Sequence, residues 1–194
     1  MNATLTEILN SGGIAVLPTD TIYGIHASAL NPVAVEKIYQ VKDRLHSKPM
    51  IILISSIDEL ARFGVEVDEN TKQILQKIWP NPVSVILPTN KAGLEYLHRG
   101  TNSLAFRIPN NQFLLNLLKE TGPLASTSAN PEGEKPSETI KEAKKYFGDS
   151  VDYYLDHGQM ESVPSTVIKL EDGQIQILRQ GIFNLPDSLT PQEA

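Results

Sequence analysis

The residues best equipped for chemistry in this chain are basic or hydroxylic, and they come in short groups. "VKDRLHSKPM" (41–50) sets Lys42, Arg44, His46 and Lys48 at alternate positions just before an apolar run. "LPTDTIYG" (17–24) leaves a strand-like stretch through Thr19, Asp20, Thr21 and Tyr23. "SLAFRIP" (103–109) carries Ser103 and, between Phe106 and Ile108, Arg107; in a strand that arginine faces away from both neighbours. "LASTSANP" (124–131) brings Ser126, Ser128 and Asn130, "PSTV" (164–167) brings Ser165, and "ILRQG" (177–181) brings Arg179. Guanidinium grips oxyanions in pairs and ammonium acts as a point charge. Open α/β sheets bind ligands beyond their strand ends. Cations and hydroxyls at such ends suit an anionic small molecule.

Each group alone also fits a plainer account. The 42–48 cations suit a solvated helix C-terminus, Thr19–Thr21 an Asx-turn or cap, and Ser126–Asn130 turn chemistry. Arg107 suits a solvated sheet face, and Tyr23 a half-buried packing position. The four histidines form no HxxxH pair, so no metal site is expected from protein ligands alone. There is no Walker A, no GxGxxG and no G-x-S-x-G elbow.

The elements that must position these groups alternate between strand and helix. Thr4 with Glu7 reads as a capping box for a first helix that Gly12-Gly13 ends. "IAVLPT" (14–19) reads as a strand, and Asn31-Pro32 opens a helix running to Lys42. "MIILIS" (50–55) is a strand, Ser56 with Glu59 a second capping box, and Ile74, Leu75 and Ile78 mark a helix that Pro80 stops. Strands follow at 83–89, 103–109 and 124–130, with helices at 111–122 and 138–147 and a turn-rich, mobile loop at 131–137. Trp79 reads as a core residue at a helix end. "STVIKL" and "QIQILRQ" flank Asp172-Gly173 as a β-hairpin. The hairpin forces antiparallel pairing, so the expected class is α/β (α+β in some schemes), a mixed sheet covered by helices.

The 194 residues fit one large domain, and the formal charge of −6 argues against broad binding to a polyanion. The chain has no cysteine, which excludes disulfides and thiolate metal sites and suits a reducing cytoplasm. The N-terminal segment has no signal-peptide pattern, and no apolar run is long enough to span a bilayer, so no membrane partner is expected.

Taken in order, "LPTDTIYG", "KDRLHSKP", "FRIP", "STSANPEGE", "PSTV" and "ILRQG" resemble the landmarks of the YrdC-type threonylcarbamoyl-AMP synthase family (TsaC), from about Gly12 to Gly181. The resemblance implies a twisted mixed sheet around a large concave basic cavity, the YrdC/RibB-like arrangement. It implies synthesis of L-threonylcarbamoyl-AMP from L-threonine, bicarbonate or CO2 and ATP, with Mg2+ accompanying the nucleotide and pyrophosphate released. It also implies a downstream threonylcarbamoyl transferase complex, with tRNA met indirectly or weakly. Carried over by motif, Lys42 and Arg44 are the catalytic K-x-R pair. They are expected to contact ATP together with Lys48, Ser103, Ser128, Asn130 and Arg179. Thr21, Tyr23, Arg107, Ser126 and Ser165 are expected at the threonine seat. The expected organisation is one domain over 1–181 with a loosely ordered tail over 182–194.

Three departures from the family pattern stand out, one of them the stretch "DHGQMESVPST" (156–166), which varies the usual approach to the P-S-T-V element. Leu53 takes a place where some relatives carry His, and Glu132 takes one where Ser is common, adding negative charge near the expected phosphates. An alternative reading is an RNA-binding or ribosome-assembly module of the same fold without synthase activity. A carbamoyl-transfer domain like those of hydrogenase-maturation proteins fits less well, because those usually sit among zinc-finger-like cysteines.

Overall fold

A computed structural model describes residues 4–161 and 163–190. Helix α1 (Leu5–Asn10) opens on the expected capping box, with Thr4 and Glu7 each accepting from the other's backbone N–H. Helix α2 (Pro32–Lys42) starts where the Asn31 carboxamide accepts from the Val33 and Ala34 N–H groups. Helices α3 (Glu69–Ile78), α5 (Gln112–Thr121) and α6 (Ile140–Phe147) follow the apolar periodicity. Trp79 is buried at the end of α3 and donates its indole N–H to the Val83 carbonyl at 2.8 Å. The four-residue helix α4 (Glu95–His98) carries too little pattern to be read from the chain.

Nine strands among the described residues form one mixed sheet. They are β1 (Ala15–Pro18), β2 (Tyr23–Ser28), β3 (Ile51–Leu53), β4 (Val83–Pro88), β5 (Ser103–Arg107), β6 (Leu124–Ser128), β7 (Tyr153–Tyr154), β8 (Thr166–Glu171) and β9 (Gln174–Arg179). Their spatial order is β7-β1-β2-β6-β3-β5-β4-β8-β9. The β1–β7, β3–β5 and β4–β8 pairs are parallel and the others antiparallel. Asp172 and Gly173 both take positive φ, 52° and 73°, as the tight turn of the β8–β9 hairpin requires.

The two faces of the sheet differ in character. One carries the main core, where Tyr23, Ile25, Phe106, Val85 and Ile168 meet α2, α3 and α6. The other is apolar only in part. Leu17, Leu53 and Leu124 pack there beneath Leu9 of α1 and Leu114, Leu117 and Leu118 of α5. Beyond that patch the same face turns polar, because strand alternation places Gly24, Ser126, Ser128, Ser103 and Arg107 on it. This uncovered part is where a ligand can enter.

Four expectations change. Strand β2 is present although "YGIHAS" shows no alternation, since both its sides are buried. Ser56 makes no capping bond: Glu59 instead accepts from the Ser55 N–H at 2.6 Å, and residues Ile57–Phe63 wind as a 3-10 helix. The 131–137 loop is tied down at both ends, the Asn130 amide reaching the Pro131 and Glu134 carbonyls and the Ser137 hydroxyl reaching Ala129. The segment after Gly181 is laid against the core as far as Thr190, with Leu185 buried and Phe183 and Leu189 packed on the main cluster. Gly181 permits this, since a Cβ there would come within 2.3 Å of the Pro164 carbonyl oxygen. Residues 191–194 of the expected tail lie outside the described residues.

Phe106 is fully buried and meets Phe63 edge-on at 5.3 Å between centroids. Phe106→Ala should cost about 3–5 kcal/mol, read by chemical denaturation.

Candidate active site

The polar half of the sheet floors a cavity of about 530 Å³, within the range of small-molecule sites. Eight of the expected residues line it: Thr21, Arg44, Ser103, Arg107, Ser126, Ser128, Ser165 and Arg179. They come from separate stretches of the chain and converge because sheet order, not sequence order, sets neighbours. Thr19, already noted beside Thr21, lines it as well, and so does Thr101, which carries no spacing signal that would have singled it out.

Helix termination explains the K-x-R spacing. Helix α2 ends at Lys42, and Asp43 takes a left-handed conformation (φ 49°) that turns the chain. Lys42 therefore points inward while Arg44 faces the cavity. The plainer account of a solvated helix end does not hold for Lys42, which is 1% exposed. Its ammonium donates to the Ser128 carbonyl at 2.5 Å and to the Asn130 carbonyl. The i, i+2 spacing of Ser128 and Asn130 presents two carbonyls to one cation. Burial, then the Arg44 charge, pull the Lys42 pKa down from 10.5 to about 7, and Glu132 opposes them.

Arg44 is steadied by the Lys48 and Pro49 carbonyls at 3.2 and 3.0 Å. Lys48 sits at the rim, half exposed and ion-paired with Glu132. His46 remains at the surface, stacked on Tyr39 at 5.2 Å.

Arg107 is 4% exposed and lies 3.3 Å from Asp20 in a buried ion pair. Asp20 also accepts from the Asn110 N–H at 3.1 Å, and Arg107 Nη1 reaches the Thr21 hydroxyl at 3.5 Å. Thr21 is oriented by Thr19, whose hydroxyl accepts from the Thr21 and Ile22 N–H groups and donates to the Ile22 carbonyl at 2.7 Å. Arg107 Nε has no partner among the described residues, so this buried cation keeps a donor unsatisfied. Burial lowers the Arg107 pKa, Asp20 opposes that shift, and Arg179 adds to it, so the two guanidiniums sense each other. Arg179 donates to the Ser165 carbonyl at 2.8 Å, and the Ser165 hydroxyl meets that of Ser84 at 3.0 Å.

Four of the expected residues lie off the cavity lining, Lys48 at the rim among them. Lys42 is buried behind the β6 end. Asn130 spends its amide on its own loop, and its Oδ1 has no partner among the described residues. Tyr23 does not shape the cavity: strand parity puts it on the opposite face of β2, where its hydroxyl accepts from the His157 N–H and donates to the Gly158 carbonyl, each at 2.8 Å. Asp20 is the partner that sequence reasoning missed, because its contact with Arg107 joins the β1–β2 turn to the distant strand β5. Glu132 was visible as a departure, but its ion pairs were not.

A family model described as "Telomere recombination", that of the Sua5, YciO and YrdC proteins, matches residues 7–181. The chain belongs to the Sua5/YciO/YrdC family. Among its relatives in that family, a Methanocaldococcus jannaschii protein provisionally named threonylcarbamoyl-AMP synthase is 37% identical over 178 residues, 91% of this chain and 83% of that one. The Pyrococcus abyssi threonylcarbamoyl-AMP synthase is 32% identical over 177 residues, and this chain spans 52% of its length. The structure of Pyrococcus abyssi Sua5 complexed with L-threonine matches with a TM-score of 0.84 at 29% identity, over 91% of this chain and 52% of that one. The mixed sheet flanked by helices is thus the family's fold.

The Lys42 shift carries a stability signature. Folding holds its pKa near 7 against 10.5 for an unperturbed lysine, so between those values the unfolded chain binds the extra proton. The penalty is full below about pH 7 and fades as pH rises toward 10.5, so stability rises across that window. Lys42→Met should flatten the rise by at most about 1.4 kcal/mol per pH unit, the limit for one proton, measured by denaturant unfolding between pH 7 and 10.

Proposed function

We propose that this chain joins L-threonine, bicarbonate or CO2, and ATP into L-threonylcarbamoyl-AMP, releasing pyrophosphate. The observation that carries this reading is the convergence of Arg44, Arg107 and Arg179 on one hollow beside the hydroxyls of Thr21, Ser126, Ser128 and Ser165. Family membership and the names borne by relatives that cover most of this chain support it.

The proposed roles divide along the cavity. Arg44 and Lys48, with Lys42 behind them, stand at the triphosphate end. Ser103, Ser128 and Arg179 hold the nucleotide, while Asn130 shapes the loop beside it. Arg107, held by Asp20, faces the amino-acid carboxylate, and Thr21, Ser126 and Ser165 orient the substrate. The threonine amine takes up CO2 as a carbamate. A carbamate oxygen then attacks the α-phosphorus, and pyrophosphate leaves. Charge grows on the phosphoryl oxygens during that step, and fixed cations stabilise it without a covalent nucleophile. Among the described residues no cluster of His, Asp and Glu could hold a metal, so Mg2+ would arrive on the nucleotide and add to the charge neutralisation there. The product would pass to a threonylcarbamoyl transferase that modifies tRNA in the cytoplasm. No helix among the described residues is long and apolar enough to cross a membrane.

The test is pyrophosphate release from ATP and bicarbonate with each amino acid in turn. Threonine-dependent release is expected; tight RNA binding with no turnover would favour the binding-module reading instead. Within that assay, Arg44→Ala should raise KM for ATP by roughly tenfold or more and leave KM for threonine nearly unchanged. Arg107→Lys should do the reverse. Both substitutions leaving turnover intact would overturn the assignment.

A further inference from the structure

The cations that would meet the triphosphate are already engaged by an anion of the protein itself. Glu132 forms an ion pair with Lys48 through Oε1 and lies 3.6 Å from Arg44 through Oε2. Its backbone N–H donates to the Lys42 carbonyl at 2.8 Å. Lys48 and Arg44 thus bear directly on one carboxylate, Lys42 acts on it only through its charge, and of these three only Arg44 lines the cavity. The contact is held from the other side too. The Asn130 amide and the Ser137 hydroxyl pin the loop that carries Glu132, so the carboxylate is presented to the cations rather than left to find them. The Glu132 pKa is accordingly lowered, first by its bond to Lys48, against a smaller opposing effect of burial, and further by the charges of Lys48, Arg44 and Lys42.

Resting on the synthase reading, we propose that Glu132 is an internal competitor for the polyphosphate: it occupies the Lys48–Arg44 subsite when no nucleotide is bound, is displaced by the β- and γ-phosphates, and returns when pyrophosphate leaves. A triphosphate carries several negative charges and offers oxygens at more than one phosphorus, so it outcompetes a single carboxylate. Adenosine monophosphate has no group that reaches this subsite and meets no competition from Glu132. The residue therefore sets how strongly the site holds polyphosphate as opposed to nucleoside, and it speeds the exit of pyrophosphate by re-engaging the cations. Lys48 and Glu132 are partly exposed, with side-chain accessibilities of 51% and 28%, so the competition is screened by salt and moderate in size.

Isothermal titration calorimetry of the full chain tests this with ATP, inorganic pyrophosphate and AMP, on the wild type, Glu132→Gln and Glu132→Ser. Both variants should bind ATP and pyrophosphate about three- to tenfold more tightly, bind AMP as the wild type does, and lose most of the gain in high salt. Unchanged or weaker pyrophosphate binding by both folded variants would overturn the proposal, as would an equal gain for AMP. Wild type and variants all failing to bind ATP and pyrophosphate would overturn it together with the synthase reading. ATP binding without threonine-dependent pyrophosphate release would remove the synthase reading alone and leave the Glu132 comparison decisive. Thermal melting of each variant confirms that folded proteins are being compared.

Discussion

The site depends on one buried ammonium. Lys42 closes the last turn of α2 and reaches across to the carbonyls that follow β6, so two segments far apart in sequence meet at a single charge. Burying that charge is unfavourable, as its lowered pKa records, and the two carbonyls compensate it only in part. The contact sets where Arg44 emerges on one side and how the Ser128–Asn130 backbone runs on the other.

The sheet supplies the second constraint. Its core face is mostly apolar, whereas the opposite face is shielded by α1 and α5 over only part of its width. Uncovered strands would be unstable if they exposed large apolar side chains, and here small and hydroxylic residues take those places. The same economy makes a binding floor: Gly24, Ser126, Ser128 and Ala105 leave room, and Arg107 and Arg179 supply charge. Arg107 needs Asp20 to be tolerable at that depth, and Arg179 needs the Ser165 carbonyl.

Local signals in the chain were read well where one segment settles its own geometry. The Thr4 capping box, the Asn31-Pro32 start of α2 and the Asp172-Gly173 hairpin all form as their residue types dictate. Legibility failed where a distant partner decides. Ser56 and Glu59 have the right letters for a capping box, but Glu59 found Ser55 instead. Tyr23 neighbours Thr21 in sequence, yet the alternation of β2 carries it to the far face. Lys42 was marked as functional, but nothing local announces that its first partners are carbonyls some eighty-odd residues away. The cavity residues were identified by their resemblance to a family pattern, and their meeting place by the sheet order, which no single stretch encodes.

The close approach at Gly181 links the end of the described chain to the cavity wall. The 181–183 stretch is zipped to 164–166: the Gly181 N–H donates to the Thr166 hydroxyl, the Ile182 N–H to the Pro164 carbonyl, and the Thr166 hydroxyl to the Phe183 carbonyl. Arg179 leans on the middle of that zipper through Ser165. Mechanical load applied beyond Thr190, by a fused protein or an affinity handle, therefore bears on a side chain that lines the cavity. At the other terminus α1 packs on α5, away from that zipper. Attachment chemistry at the amino end avoids that path to Arg179.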